Sequence, residues 1–464
     1  MPPPFEGVCR NTAKSFVNYV MLKRLFSNIV RVLLLVTLIS YTQIFFTIVH
    51  LTSICKSVDS AMTMNLTSQM IESRLRSALW GMFSGDALAS PSHWYYGGFN
   101  QIQGDYGRGG ITGYLKPITN MRGSILNKSD PNGGGRLAGK GLGGKQVSII
   151  GDIINHGKLP LWDPKKSIHY HATLQAGENT LEMQIARVLM KSIVANDGQF
   201  DEDHFRKAYI EFMTTKGSHN DTYASTCHRM FFANLIFHKK DPKDCPDNDG
   251  HNVDAIDGLV LPSITALAAT ARQLSLASSD SLELTKEARI SIQQASIKTA
   301  AVTRSSNVLA TASAAWADLV SDALILPISD SDAGNSMLQP IYNVAMQLKF
   351  SKPQPNRSDQ MSACYLSQSL PPTLDMLAKY TRPSFLNNGH DGIWKALLAN
   401  ANIGGENVHR ATCLGVILGA RVGDENLPHE LKSGLYERQA LEKEIDSFVV
   451  AVMKKTTSQK QCVE

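Results

Sequence analysis

What is scarce in this sequence is acid at one end, patterned cysteine, and alternating runs of β-branched residues. The first 56 residues hold Arg10, Lys14, Lys23, Arg24, Arg31 and Lys56 against Glu6 alone, and the rest of the chain carries 40 basic and 40 acidic groups. The net charge of +5 therefore belongs to the leader. A neutral body sets up no long-range field for a polyphosphate backbone, so no nucleic-acid partner is expected. The cysteines (Cys9, Cys55, Cys227, Cys245, Cys364, Cys413 and Cys462) are odd in number and never spaced C-x-x-C. Neither a disulfide framework nor a zinc cluster follows from that, and a reducing compartment is the default. No period of 20–50 residues repeats, which argues against a solenoid.

A long apolar run is present once. Val32 to Ile54 is long enough to cross a hydrocarbon core of about 30 Å, although Thr42, Gln43 and His50 weaken it as a span. Basic residues crowd its N-terminal side, which would leave that terminus cytoplasmic in a membrane anchor. A cleaved targeting leader is the rival reading, and a start at Met62, Met64 or Met70 is a third. Without the segment the protein would be cytoplasmic. The sequence divides into a leader (1–64), a body (65–440), and a C-terminal helix with a polar tail (441–464).

From Gln69 the apolar residues recur at helical spacing. They do so in IESRLRSALWGMFSGDALA, in TLEMQIARVLMKSIVA, through the Ala-rich stretch from Leu282 to Leu326, and in VHRATCLGVILGARVG. An all-α body with a large core follows, and 43% apolar residues are enough to fill it. Gly134-Gly-Arg-Leu-Ala-Gly139-Lys140 imitates a phosphate-binding loop. However, Gly141 stands where a Ser or Thr would hold magnesium, and neither the strand nor the helix that frames such a loop is readable.

Two distant segments share a design. Gly177-Glu178-Asn179 leads into one amphipathic helix, and Gly405-Glu406-Asn407 leads into another. Capping explains the asparagines, and Glu182 completes a capping-box pattern after Asn179. It does not explain why a glutamate precedes both. Carboxylates and amides converging at helix N-termini would suit a hard cation, and the helix ends themselves would favour a pyrophosphate. Asp86 lies inside an apolar helix, and His93-Trp94 follows beside two tyrosines suited to gripping a planar base. His169 and His171 alternate as they would in an extended segment. Asn220-Asp221 and His251 fall in turn-forming runs, and Asp254 and Asp257 sit at i,i+3 on one helical face.

These segments, in this order, resemble the ADP-ribosylglycohydrolase superfamily from about Arg74 to Glu437. The anchors are GMFSGDALASP, GENT, DGHNVDAIDGL and NIGGENVHRATCLGVILGA; HYHATLQAGENT and CHRMFF look most like the branch of the J-type lens crystallins and selenoprotein J. The resemblance implies a compact all-α fold with a central cleft. It also implies a paired Mg²⁺ or Mn²⁺ site, and hydrolysis of the bond between ADP-ribose and its acceptor. This chain departs from the pattern. Gly177-Glu178-Asn179-Thr180 replaces the usual Thr-Asp-Asp-Thr. In the last motif Glu406 replaces Asp, Val408 replaces a second Asp, and His409 replaces Thr.

Fewer negative charges would weaken a two-ion site, because little offsets the repulsion between the ions. One ion, held by Glu178, Asn179, Glu406 and His409, is therefore expected rather than two. Glu178 or Glu406 would act as general base toward water. Asp86, His93, Trp94, His171, Asn220, Asp221, His251, Asp254 and Asp257 would bind an ADP-ribose-like ligand or ADP-ribosylated protein. A catalytically silent, crystallin-like binding protein is the alternative, and a thiol enzyme using Cys227 or Cys413 is a third reading.

Overall fold

The computed structural model of the chain describes residues 11–133, 147–246, 253–276, 282–327, 333–352, 354, 356–386 and 390–454. The glycine loop from Gly134 and His251 lie outside the described residues. The chain divides into two units, Met1–Leu66 and Thr67–Glu464.

Fifteen α-helices follow one another among the described residues: α1 (Asn11–Ala89), α2 (Gly98–Tyr106), α3 (Leu181–Ala195), α4 (Glu202–Thr214), α5 (Thr226–Ile236), α6 (Val260–Leu276), α7 (Lys286–Ala301), α8 (Asn307–Ile325), α9 (Ala333–Gln347), α10 (Leu366–Tyr380), α11 (Pro383–Leu386), α12 (Lys395–Ile403), α13 (Val408–Val422), α14 (His429–Ser433) and α15 (Arg438–Met453). Only isolated bridges, and no β-sheet, occur among these residues. The body is all-α, as the helical spacing predicts.

In the first unit the backbone is helical from Asn11. Within the segment 32–54, only the side chains of residues 32–38 and Gln43 are described. Among them Val32, Leu33, Leu34, Leu35, Val36 and Leu38 are exposed. The rest of the segment's side chains lie outside the described residues.

In the second unit α13 is the axis. Every residue from Val408 to Val422 is buried, and the helix packs against α8, α10 and α12. Its small residues admit the last turns of α1. Gly419, Gly415 and Ala411 lie against Ser77, Gly81 and Gly85 in turn, so closely that a Cβ on either central glycine would overlap the other's carbonyl. The Ala-rich stretch is two helices rather than one. It breaks after Ala301, and Ser306 caps α8 by accepting the Leu309 N–H at 3.0 Å. At the far end of α8, Arg74 donates to the carbonyls of Leu324 (2.6 Å) and Leu326 (2.9 Å), and Arg421 to that of Pro327 (2.7 Å). These cations satisfy carbonyls that a helix C-terminus leaves open.

α15 packs on α3 and α6 as part of the same unit, pinned by Arg187 to Glu444 at 2.7 Å. Ile256–Leu276 and Asn307–Ile325 are long and apolar enough to cross a membrane, but the apolar 18-residue stretch of each is 67% buried inside the protein, as in core helices.

Candidate active site

The entry to α3 is built by two carboxylates from outside the helix. Asp86, on α1, accepts the backbone N–H of Thr180 at 2.8 Å, its hydroxyl at 2.6 Å and the Asn179 amide at 2.8 Å. Asp221 accepts the backbone N–H of Leu181 at 2.8 Å. The expected capping box is therefore not formed. Thr180 is the N-cap and makes no side-chain cap, while Asn179 spends its N–H₂ on Asp86 and on the Phe83 carbonyl. The acids do the capping, placed where the helix dipole is positive. Burial raises the Asp86 carboxyl, opposed by its hydrogen bonds from Thr180 and Asn179. Asp221 is held below its ordinary value, since His171 more than offsets the effect of burial.

From Asp221 a chain of side chains runs inward. His171 Nδ1 lies 2.8 Å from Asp221 Oδ1, His171 Nε2 lies 2.7 Å from His93 Nδ1, and His93 Nε2 lies 3.2 Å from Glu406 Oε2. Glu406 Oε1 then meets His409 Nδ1 at 2.7 Å. Trp94 closes the cluster. Its backbone is left-handed (φ 60°), a conformation rare for a bulky residue, fixed by its N–H donating to Gly405 O at 2.7 Å. That turn brings the indole N–H to Glu406 Oε2 at 2.8 Å and stacks the ring on His93 with centroids 4.2 Å apart.

All five of Asp221, His171, His93, Glu406 and His409 are buried. Burial works against the charge on Glu406, but His409 and then His93 more than offset it and hold the carboxyl well below its usual range. Burial also opposes the charge on His409, yet Glu406 lifts its pKa to about 9. His93 goes the other way, pushed down to about 4 by burial despite Glu406. At neutral pH His409–Glu406 is thus an ion pair, while His93 is a neutral hydrogen-bonding partner.

Glu406 and His409 open onto a cavity of about 500 Å³, within the size range of small-molecule sites. Trp94, Tyr96, Tyr170, Tyr223 and Tyr365 form its aromatic walls, and Lys128, Arg229 and Asp257 add charge. Asp257 pairs with buried Arg304 through Oδ2, while its buried Oδ1 has no hydrogen-bond partner. Beside the cavity lies a void of about 10 Å³, bounded by His93, His171, Glu182, Asp221 and His409 among others.

Several expected residues stand elsewhere. Glu178 does not converge with Glu406. It lies in a separate crevice with Arg187, Tyr436 and Glu437, accepting from Gln175 N at 2.7 Å and Asn220 Nδ2 at 3.2 Å. Asn220 braces that turn and receives Lys158 Nζ at 3.1 Å, away from the cavity. Asp254 and Asp257 do not share one helical face: Asp254 precedes the helical turn Ile256–Leu259 and accepts from Ser306, and only Asp257 reaches the cavity. His169 and His171 lie in a turn rather than an extended strand. His169 bonds Pro91 O at 3.0 Å and accepts the His171 N–H at 2.9 Å, so only His171 points into the chain of imidazoles. Cys413 is fully buried with its thiol pKa pushed up by burial, which leaves no reactive thiolate there.

Other residues of the site escape sequence reasoning. Glu182 reads as a capping glutamate, yet its carboxylate pairs with buried His228 at 2.8 Å and accepts from Ser225 at 3.0 Å. His228 lies within the CHRMFF run, whose mix of imidazole, guanidinium and aromatics was the available signal. The tyrosine walls come from four separate loops, and no local pattern groups them.

The ADP-ribosylglycohydrolase family profile matches residues 67–460. The chain belongs to the ADP-ribosylglycohydrolase family. Among solved structures, an ADP-ribosylglycohydrolase-related protein complex is similar at 14% identity, covering 82% of this chain and 99% of its own, with a TM-score of 0.47. No curated protein matches the chain. The family is one of glycosidic hydrolases that typically depend on divalent metal and act on ADP-ribose or ADP-ribosylated substrates.

A pair of hard dications does not fit the residues present. Magnesium requires near-octahedral oxygen ligation. Here Glu178 faces another crevice, Asn179 and Thr180 point their donors at Asp86, and Val408 offers no ligand. Of the two motifs, only Glu406 brings a carboxylate to the cavity.

Proposed function

We propose that this cavity hydrolyses an N- or O-glycosidic bond of ADP-ribose or of an ADP-ribosylated acceptor. The observation that carries the reading is Glu406, an ionised carboxylate at the inner end of an aromatic-walled cavity of about 500 Å³. Such hydrolysis passes through a sugar cation: the glycosidic bond breaks with its electron pair leaving on the acceptor nitrogen or oxygen, water bonds to the anomeric carbon, and the proton that water sheds ends on the acceptor. A carboxylate fixed in place by Trp94, His93 and His409 needs no reorganisation to stabilise that charge and to orient the water. Its depressed pKa makes it an electrostatic partner more than a strong base.

Trp94, Tyr170 and Tyr223 would hold the base or ribose by stacking, and Asp257 Oδ1 is an acceptor for a ribose hydroxyl. Lys128 and Arg229 supply positive charge for a pyrophosphate, with the Arg229 guanidinium already oriented by Ala224 O and Thr226. Asp86, His171 and Asp221 position this machinery rather than touch ligand.

Titration with ADP-ribose, read by melting temperature, tests the reading, followed by release of ADP-ribose from a modified peptide. Stabilisation and turnover that both disappear in Trp94→Ala support it; neither, in a folded protein, would overturn it. The alternative is a silent binding protein on the same fold. It is favoured by the saturation of Glu406 with internal hydrogen bonds and by the displacement of Glu178, and it predicts binding without turnover.

A further inference from the structure

The acids at the N-termini of α3 and α13 have their oxygens committed to the protein's own donors. Asp86 Oδ1 accepts the Thr180 hydroxyl, and its Oδ2 accepts N–H groups of Thr180 and Asn179. Asp221 accepts the Leu181 N–H at 2.8 Å and the Tyr223 N–H at 3.3 Å, and His171 Nδ1 lies within 3.0 Å of both its oxygens. Glu406 Oε2 accepts the Trp94 indole N–H and lies 3.2 Å from His93 Nε2, while Oε1 lies 2.7 Å from His409 Nδ1. Ligand atoms of His93, Glu406 and His409 come within 4.8 Å of one another, but they meet each other at hydrogen-bond distance. Two carboxylates beside the cavity do keep a buried oxygen unspent, Asp257 Oδ1 and Glu182 Oε2. One guanidinium serves both. Buried Arg304 donates through Nη2 to Asp257 Oδ2, and the same nitrogen lies 3.9 Å from Glu182 Oε1. The other close group of ligand atoms, Glu182, Cys227 and His228, lies beside that guanidinium too. Arginine carries its charge at every pH a folded protein meets. A dication bridging Asp257 and Glu182 would therefore face a fixed like charge in a buried setting, where repulsion is screened least.

We propose that the cavity binds ADP-ribose without a divalent ion, with Arg304 as the fixed positive charge and Asp257 Oδ1 accepting a ribose hydroxyl that an ion would otherwise hold. The inference rests on the ADP-ribose reading of the cavity and departs from the family's usual dependence on metal. Asp257 lines the cavity and touches the ligand. Arg304 is a positioning residue: it ties down Oδ2 and leaves Oδ1 free. A hydroxyl donates strongly to a carboxylate oxygen, and a buried acceptor without a donor is costly, so the ligand supplies what the folded protein lacks. The last motif agrees with this division, since Val408 offers no ligand and His409 brings its ring nitrogen to Glu406. A guanidinium fixed in the chain needs no loading from solution, so binding depends on neither ion concentration nor chelator.

The full chain in mild detergent, stripped with a chelator, is titrated calorimetrically with ADP-ribose in EDTA and again in millimolar Mn²⁺. The two dissociation constants should agree within about twofold, whereas a coupled ion would separate them by about 5- to 150-fold. Mn²⁺ alone is followed by its electron paramagnetic resonance signal, which fades on binding and should stay at full strength beside the protein. Asp257→Asn should weaken ADP-ribose by the same factor in both media. Arg304→Lys, which keeps the charge, should retain binding that Arg304→Gln loses. If the Arg304 variants do not fold, the two media compared on the unaltered protein still decide. Binding that tightens in Mn²⁺, or one equivalent of Mn²⁺ taken up and lost in Asp257→Asn, would overturn the inference and leave the ADP-ribose reading standing. ADP-ribose bound in neither medium would remove that reading, and the inference with it.

Discussion

At the scale of single residues, Glu406 and Glu182 are opposite lessons in what a buried carboxylate does. Glu406 faces a cavity and carries the proposed chemistry, so Glu406→Gln keeps the shape and removes the charge. Turnover of an ADP-ribosylated peptide should fall by about 10²-fold or more, the usual loss when one preorganised electrostatic contact is removed. An unchanged rate would point to a different charge. Glu182 faces inward to His228 and is held low, because His228 more than offsets the cost of burying it. His228 is in turn held well above its ordinary value, as Cys227 and Glu182 outweigh burial. The histidine's contribution to stability is complete below about pH 6.5, its unfolded value, and is lost as pH rises through its higher folded value. The glutamate's is complete above about pH 4.5 and is lost as pH falls through its lower folded value. Urea melts of the intact protein should therefore show a stability plateau between about pH 4.5 and 6.5 from this pair. Removing one partner of a buried pair strands the other's charge, so His228→Ala should cost about 3–5 kcal/mol. A loss under 1 kcal/mol, or an alkaline slope that the variant shares, would contradict the pairing.

At the scale of elements, the contact between α1 and α13 sets where the site sits. Gly81 and Gly415 meet backbone to backbone, and α13 begins one residue before His409. A methyl on Gly415 must push α13 away from α1, because the atom it meets is a backbone carbonyl and not a flexible tip. Gly415→Ala should destabilise by about 1–3 kcal/mol, the range for overpacking a close-packed interior. It should also weaken ligand binding at a cavity it does not line; a calorimetric melt and an ADP-ribose titration on one sample read both effects. Helix existence was legible from apolar periodicity, and even the pair of glutamate-bearing turns before α3 and α13 was visible. Which of those glutamates faces the cavity was not. Glu178 and Glu406 have the same local sequence context, and what separates them is tertiary. Asp86 and Asp221 take over the N-terminus of α3, whereas the left-handed turn at Trp94 brings an indole to Glu406. The imidazole chain was legible only as separate histidines, because His93 and His171 come from two separate turns and His409 from the first turn of α13, and no spacing encodes their approach.

At the scale of the whole molecule, the two units divide their work by surface. In Thr67–Glu464 the apolar residues line one continuous core that includes α13, and the family match begins at the same residue, 67. In Met1–Leu66 the described apolar side chains, from Met21 and Leu25 to Leu38, are exposed, with Arg24 and Arg31 exposed among them. Contiguous exposed leucine and valine on a helix cost about 25 cal/mol per Å² in water, a cost relieved on entering hydrocarbon. We expect the full chain to partition onto lipid vesicles and a chain beginning at Thr67 to stay in the supernatant. The shorter chain should still melt in a single cooperative transition and bind ADP-ribose as the full chain does, because the cavity-lining residues all follow Leu66. Flotation with vesicles of neutral lipid separates insertion from charge attraction, since the basic leader alone would need anionic headgroups. Flotation of both chains would move the lipid contact to the body, and flotation of neither would leave the exposed apolar helix with a protein partner instead.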